Sequence, residues 1–196
     1  MKLNLCIDID GTITDAYYWL ERANQYFGKN LKPKDVTTYD IHEVLRIPRE
    51  EYDKFYELYS KEIHLEAEVR ENAQNALVSL NSKNNIFYVT ARSQRMKSIT
   101  EEWFHKNNLP KGKLYLLGSH YKVDQAKELS CHIFIEDRYE NALEIAAAGF
   151  KVLLMDCYYN RKELMPGITR VFNWVEVYNE IEKYREEIIK GTIKIA

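Results

Sequence analysis

With 196 residues and a mass of 23.3 kDa, the chain has the size of one domain carrying an insertion, which excludes a multidomain machine. Hydrophobic residues make up 45% and charged residues 30%, enough to bury about 70% of the unfolded chain's surface, so disordered, collagenous and miniprotein classes drop out. Lys and Arg number 28 against 30 Asp and Glu, and a net charge of −2 gives no field that would gather a nucleic-acid polymer.

The chain opens with MKLNLCIDID, where Leu3–Ile7 is a short apolar run of the kind that fills a parallel sheet, and Asp8 ends it too soon for a secretory segment. Residues 16–75 carry several helical patterns and much aromatic weight, including Tyr17, Tyr18, Trp19, Tyr26, Phe27 and Tyr39, with Pro33 and Pro48 as punctuation. Tyr52, Phe55, Tyr56 and Tyr59 fall at i, i+3, i+4 and i+7, the packing face of a helix in a small bundle. Ala73, Ala76, Leu77 and Leu80 repeat that spacing. A second apolar run, Ile86–Val89, precedes a helical segment with Ile99 and Trp103, and a third, Leu114–Leu117, precedes the helix VDQAKELS. Ile133–Ile135 leads into YENALEIAAAGF, where Gly149 is placed to end a helix in a left-handed conformation. Val152–Met155 is the fifth run, and Val177, Ile181, Tyr184 and Ile188 mark a C-terminal helix.

Strands alternating with helices imply right-handed βαβ units and a doubly wound parallel α/β sheet. A crossover needs only about a dozen residues, whereas residues 8–85 separate the first two runs, so a small helical cap of residues 16–75 is expected between core segments 1–15 and 76–196. Cys6, Cys131 and Cys157 form no C-x-x-C pair, which points to a reducing compartment. With no apolar stretch approaching 18 residues, the expected location is the cytoplasm.

Open α/β sheets bind ligands at the carboxyl ends of their strands. Here those ends read Asp8-Ile9-Asp10-Gly11-Thr12, Thr90-Ala91-Arg92 and Glu136-Asp137-Arg138. Asp8 and Asp10 stand two apart before a glycine, and a calcium loop is excluded because its twelfth position would be Trp19 rather than Glu. Adding Asp137 creates a group of carboxylates that repel one another unless a hard cation neutralises them, and Mg²⁺ suits such an open, oxygen-lined site. Thr90 can hydrogen-bond a phosphate oxygen, though it also fits as a β-branched strand residue, and a lysine can add a point charge. Arg92 fits a salt bridge at a helix start or a substrate contact, and Tyr17, Tyr18 and Trp19 follow the acidic motif closely enough for at least one of them to face the pocket. The five histidines show no ligand spacing and receive no role.

DIDGT after strand one, YVTAR at strand two, a Lys before strand four and IEDR at its end resemble motifs I to IV of the haloacid dehalogenase (HAD) superfamily, and the insertion resembles its helical C1 caps. TAR and the spacing of Glu136, Asp137 and Asn141 resemble, more narrowly, the 5′(3′)-deoxyribonucleotidase branch and its bacterial nucleotidase relatives. The resemblance implies Asp8 as a nucleophile that becomes an aspartyl phosphate, and Asp10 as acid and then base. It implies magnesium on the side chains of Asp8 and Asp137 and the backbone carbonyl of Asp10, with Glu136 supporting these ligands from behind. Thr90 and a lysine would hold phosphate, and Lys122 fits the lysine position better than Lys127. An acid at Asp10 favours phosphate-ester cleavage over dehalogenation, because an alkoxide leaving group needs a proton. The expected activity is a magnesium-dependent phosphomonoester hydrolase acting on a small phosphate ester, foremost a nucleoside monophosphate. A sugar phosphatase or phosphomutase is the rival enzyme, and a binding module on the same frame is the rival outside enzymes. The sequence leaves the oligomeric state open.

Overall fold

The computed structural model describes residues 2–192. Its sheet has six parallel strands, β1 (Asn4–Ile7), β2 (Asn85–Thr90), β3 (Lys113–Leu116), β4 (Ile133–Glu136), β5 (Lys151–Met155) and β6 (Ile168–Val171), in the order β3-β2-β1-β4-β5-β6. The order reverses at β1, which lies between β2 and β4, and such a switch point opens a crevice at the carboxyl edge. Register brings the chemistry together there: Ile7 pairs with Tyr88 on one side and Ile135 on the other, and the Asp8 N–H donates to the Ile135 carbonyl at 2.9 Å.

Central strands buried on both faces explain the unbroken apolar runs. Leu3, Leu5 and Ile7 face α4 (Ala73–Lys83) and α8 (Trp174–Ile189), whereas Cys6, Val89 and Phe134 face α6 (Val123–Glu128) and α7 (Tyr139–Ala147). α5 (Lys97–Lys106) follows β2, and its Trp103 is fully buried. The insertion holds α1 (Leu20–Phe27), α2 (Ile41–Leu45) and α3 (Arg49–Glu66), with a separate core built on Leu20, Ala23, Leu45, Phe55 and Ile63. It joins the sheet through paired segments: Thr14 bridges Val69, the Asp15 N–H donates to the Glu68 carbonyl at 2.7 Å, and the Arg70 N–H donates to the Ile13 carbonyl at 2.8 Å. Ala73, within the range expected for the cap, packs instead into the core under the sheet.

Two expectations need correction. A sixth strand, Ile168–Val171, lies at the sheet edge beyond the five apolar runs, where partly exposed Thr169 and Arg170 interrupt the apolar pattern. The aromatic stripe of α3 also divides: Phe55 is buried in the cap core, whereas Tyr52 and Tyr56 line a cavity that faces the sheet. Among the described residues, no helix is long and apolar enough to cross a membrane.

Trp174 links the last helix to the functional edge, being fully buried while its indole N–H donates to the Thr12 carbonyl at 3.0 Å. Trp174→Ala is expected to cost about 3–5 kcal/mol in urea unfolding, the range for removing a buried aromatic; a loss under about 1 kcal/mol would show that this contact does not anchor the loop.

Candidate active site

The loop from β1 turns sharply at Gly11, whose φ of +76° favours glycine, and a Cβ there would run into the Asp137 carboxylate and the Tyr159 hydroxyl. Close approach of this backbone to Asp137 therefore requires the glycine of DIDGT. Arg70, from the segment returning out of the cap, fixes the turn by donating to the Gly11 carbonyl through Nε at 3.0 Å and Nη2 at 2.8 Å.

Asp8, Glu136 and Asp137 each present a carboxylate oxygen, all within 4.8 Å of one another, and all three residues are buried. Lys122, 2% exposed, inserts its Nζ among them at 2.6 Å from Asp8 Oδ1 and 2.9 Å from Glu136 Oε2. Lys127 is exposed on α6. The second Glu136 oxygen accepts from Asn141 Nδ2 at 2.9 Å and from the Arg138 N–H at 3.3 Å, so protein donors occupy both of its oxygens. Asp137 accepts from Thr12 Oγ1 at 3.3 Å and from the Tyr159 hydroxyl, while Asn160 Nδ2 holds the Asp137 carbonyl at 2.6 Å.

This crowding governs protonation. Burial raises the Asp8 carboxyl well above the usual range, opposed by Lys122 and reinforced by Glu136 and Asp137. Burial and then the Glu136 charge push Asp137 up to about 7, against the pull of the Tyr159 hydrogen bond. Lys122 goes the other way: burial works against its charge, but Asp8 and Glu136 together raise it above an ordinary lysine. Three carboxylates share one ammonium, and the site resists full ionisation without a further cation.

Asp10 lies on the other side of the turn, its side chain 26% exposed. Arg92 clamps it from below, Nη2 to Oδ1 at 2.6 Å and Nε to Oδ2 at 2.9 Å, and the same guanidinium donates to Thr100 Oγ1 on α5 at 3.0 Å. Burial alone would raise the Asp10 carboxyl, but the Arg92 charge holds it well below the usual range. Tyr18 donates its hydroxyl to Asp10 Oδ1 at 2.9 Å. Tyr17 does not reach the cavity; its hydroxyl accepts from the Tyr158 N–H at 2.8 Å and its ring packs on Tyr158 and Tyr159. Thr90 is buried at the end of β2, with its Oγ1 accepting from the Arg92 N–H at 3.2 Å.

A cavity of about 370 Å³ lies between this edge and the cap, within the size range of small-molecule sites. Asp10, Gly11 and Asp137 line its floor, and Tyr39, Tyr52 and Tyr56 contribute aromatic walls. Two of its residues were passed over in sequence. A lone histidine in a helix carries no local signal, yet His64 is 4% exposed with its ring against Tyr18 and Tyr56. Tyr159 follows β5, at the same carboxyl edge as the residues that end β1, β2 and β4.

The fold is that of the HAD-like hydrolases. A haloacid dehalogenase-like hydrolase of Streptococcus pneumoniae superposes with a TM-score of 0.67 at 15% identity, covering 92% of this chain and 98% of that one. YfnB of Bacillus subtilis, solved with magnesium bound, superposes at 0.62 and 13% identity over 92% and 99% of the two chains. The particular family follows from sequence: the model for 5′ nucleotidase, deoxy (pyrimidine), cytosolic type C proteins matches residues 2–186, and the chain belongs to that family. It is also similar to a nucleotidase of Clostridium acetobutylicum, 48% identical over 186 residues that span 95% of this chain and 97% of the relative. The activity class is accordingly phosphoric monoester hydrolysis of the nucleotidase kind.

Lys122→Ala leaves buried carboxylates without their ammonium and is expected to cost about 3–5 kcal/mol in urea unfolding in EDTA. Lys127→Ala is expected to stay within about 0.5 kcal/mol of wild type. Equal losses would remove Lys122 from its central position in the cluster.

Proposed function

We propose that the protein hydrolyses nucleoside monophosphates through an aspartyl phosphate on Asp8, with a magnesium ion held at the strand ends. The observation that carries this reading is the buried trio Asp8, Glu136 and Asp137 with Lys122 as its shared ammonium. These residues fit a hard dication: they offer only oxygen, they are over-supplied with negative charge, and burial prevents solvent from screening it. Asp8 and Asp137 would hold it together with the Asp10 carbonyl, whereas Glu136 is committed to Lys122, Asn141 and the Arg138 N–H. When bound, magnesium supplies positive charge that lets an anionic nucleophile approach an anionic phosphate.

The remaining chemistry belongs to the chain. Lys122 opposes the effect of burial on the Asp8 carboxylate and, with Thr90, offers hydrogen bonds to the transferring phosphoryl group. Asp8 attacks phosphorus, the P–O bond to the leaving alcohol breaks, and Asp10 gives that oxygen a proton. Asp10 then takes a proton from water, which attacks the aspartyl phosphate and releases phosphate with Asp8 restored. Arg92 favours the ionised, base-ready form of Asp10 in the resting site, and a phosphate dianion brought alongside pulls in the opposite direction, towards the protonated acid. Tyr39, Tyr52 and Tyr56, interleaved with Arg49, Asp53 and Arg95, give the cavity flat apolar faces beside hydrogen-bonding groups, a lining that suits a nucleoside.

The test is phosphate release from nucleoside 5′- and 3′-monophosphates, sugar phosphates and p-nitrophenyl phosphate, with magnesium or with EDTA. Nucleotides are expected to exceed sugar phosphates at least tenfold in kcat/KM, about 1.4 kcal/mol of transition-state discrimination, and EDTA is expected to abolish turnover. Asp8→Asn is expected to lower kcat by about a thousandfold or more while the protein stays folded. A sugar phosphate as best substrate would overturn the nucleotide assignment, and near-normal activity in Asp8→Asn would remove it as the nucleophile.

A further inference from the structure

His64 lies on α3, in the cap, yet its ring faces the core-borne Asp10. Nδ1 is 3.1 Å from the Tyr18 hydroxyl and 3.5 Å from Asp10 Oδ1, and Nε2 is 2.8 Å from the Tyr56 hydroxyl. The direction of every proton in this chain follows from its end. An ionised carboxylate only accepts, so the Tyr18 O–H donates to Asp10, and the Tyr18 oxygen is left to accept from His64 Nδ1–H. Nε2 then accepts from the Tyr56 O–H. A neutral imidazole, donor at Nδ1 and acceptor at Nε2, meets both demands.

The two Asp10 oxygens are thereby made unequal. Among the described residues, Oδ1 accepts from Arg92 Nη2 and Tyr18, with His64 behind, whereas Oδ2 accepts only from Arg92 Nε. Oδ2 is the oxygen with acceptor capacity to spare for carrying a proton to or from a reacting oxygen. Without the cap residues, Arg92 alone would hold the carboxylate and the distinction would rest on guanidinium geometry.

We propose that His64 is a positioning residue for the acid-base step, and that the chain Tyr56, His64, Tyr18 fixes Asp10 so that Oδ2 faces the leaving group. Proton transfer by Asp10 thus depends on the cap being seated on the core. The inference rests on the reading of Asp10 as the general acid and base.

The decisive measurement compares two esters that differ in their need for that acid: glycerol 2-phosphate, whose alkoxide must be protonated to leave, and p-nitrophenyl phosphate, whose phenolate leaves unaided. Because kcat/KM covers the steps through departure of the alcohol, it isolates the acid step from later hydrolysis of the aspartyl phosphate. In His64→Phe, kcat/KM for glycerol 2-phosphate is expected to fall at least tenfold further than for p-nitrophenyl phosphate. Tyr18→Phe is expected to show the same bias, and His64→Asn, which keeps a donor near the Nδ1 position, to recover much of it. Tyr56→Phe, which leaves the histidine in place, provides the milder variant should His64→Phe fail to fold, with a smaller bias in the same direction. Equal losses on both esters in the folded variants, or no loss on either, would overturn the proposal and leave His64 a packing residue. A wild-type protein inactive on both esters and on nucleoside monophosphates would instead overturn the phosphatase reading and this inference with it, whereas a failure of nucleotide preference alone would leave it standing.

Discussion

Lys122 Nζ sits between Asp8 and Glu136 in a place where water does little to soften charge, and Asp137 presses against the same group. Burying several charges together is costly unless each finds its partner, and breaking one such contact exposes the rest to an unpaired field. Much of the molecule can be read as the scaffold for this arrangement. The switch of strand order at β1 puts Asp8 beside the end of β4, Gly11 gives the turn that clears Asp137, and Asn160 ties the Asp137 carbonyl to the Met155 carbonyl at the end of β5. An excess of carboxylate over ammonium remains after all of this, and it is the physical reason to expect a divalent cation.

Around this centre the cap supplies a different kind of control. Its own core of Phe55, Leu45 and Leu20 keeps three helices together, and the paired segments at Thr14 and Val69 attach them to the sheet. The face left over is aromatic and polar, and it meets the core chemistry at the Asp10 carboxylate and, through the Tyr39 ring, at Tyr159. Asp8 and Asp10, two residues apart, thus live in opposite environments: one among like charges, the other clamped by Arg92. That contrast suits a nucleophile and an acid-base with separate tasks.

The strand ends were legible because parallel strands buried on both faces leave few choices: an apolar run of four or five residues ends where the chain reaches the ligand edge. Asp8, Thr90, Lys122, Glu136 and Asp137 all stand at such ends or at a helix start beside them. Arg92 was visible but its partner was not, since a salt bridge between loops 82 residues apart has no local signature. His64 has no local signature for the same reason, since its partners Tyr18 and Asp10 are brought near only by the cap crossing, whereas Tyr159 stands just past the end of β5 at the same ligand edge. Tyr56 showed a pattern that misled, because i, i+3, i+4 spacing marks the buried side of α3 without separating the side facing the cap core from the side facing the cavity. The edge strand β6 escaped because Thr169 and Arg170, both partly exposed, separate its two buried apolar residues and leave no apolar run.

Calorimetric titration of magnesium into EDTA-dialysed protein tests the central claim most directly, since it needs neither a substrate nor turnover. One ion per chain is expected to bind wild type, with affinity falling at least tenfold in Asp137→Asn, because that change removes one of the charges that call for the ion. Absence of binding to wild type, or an affinity unchanged in Asp137→Asn, would contradict the account of the buried carboxylates as a metal-demanding centre.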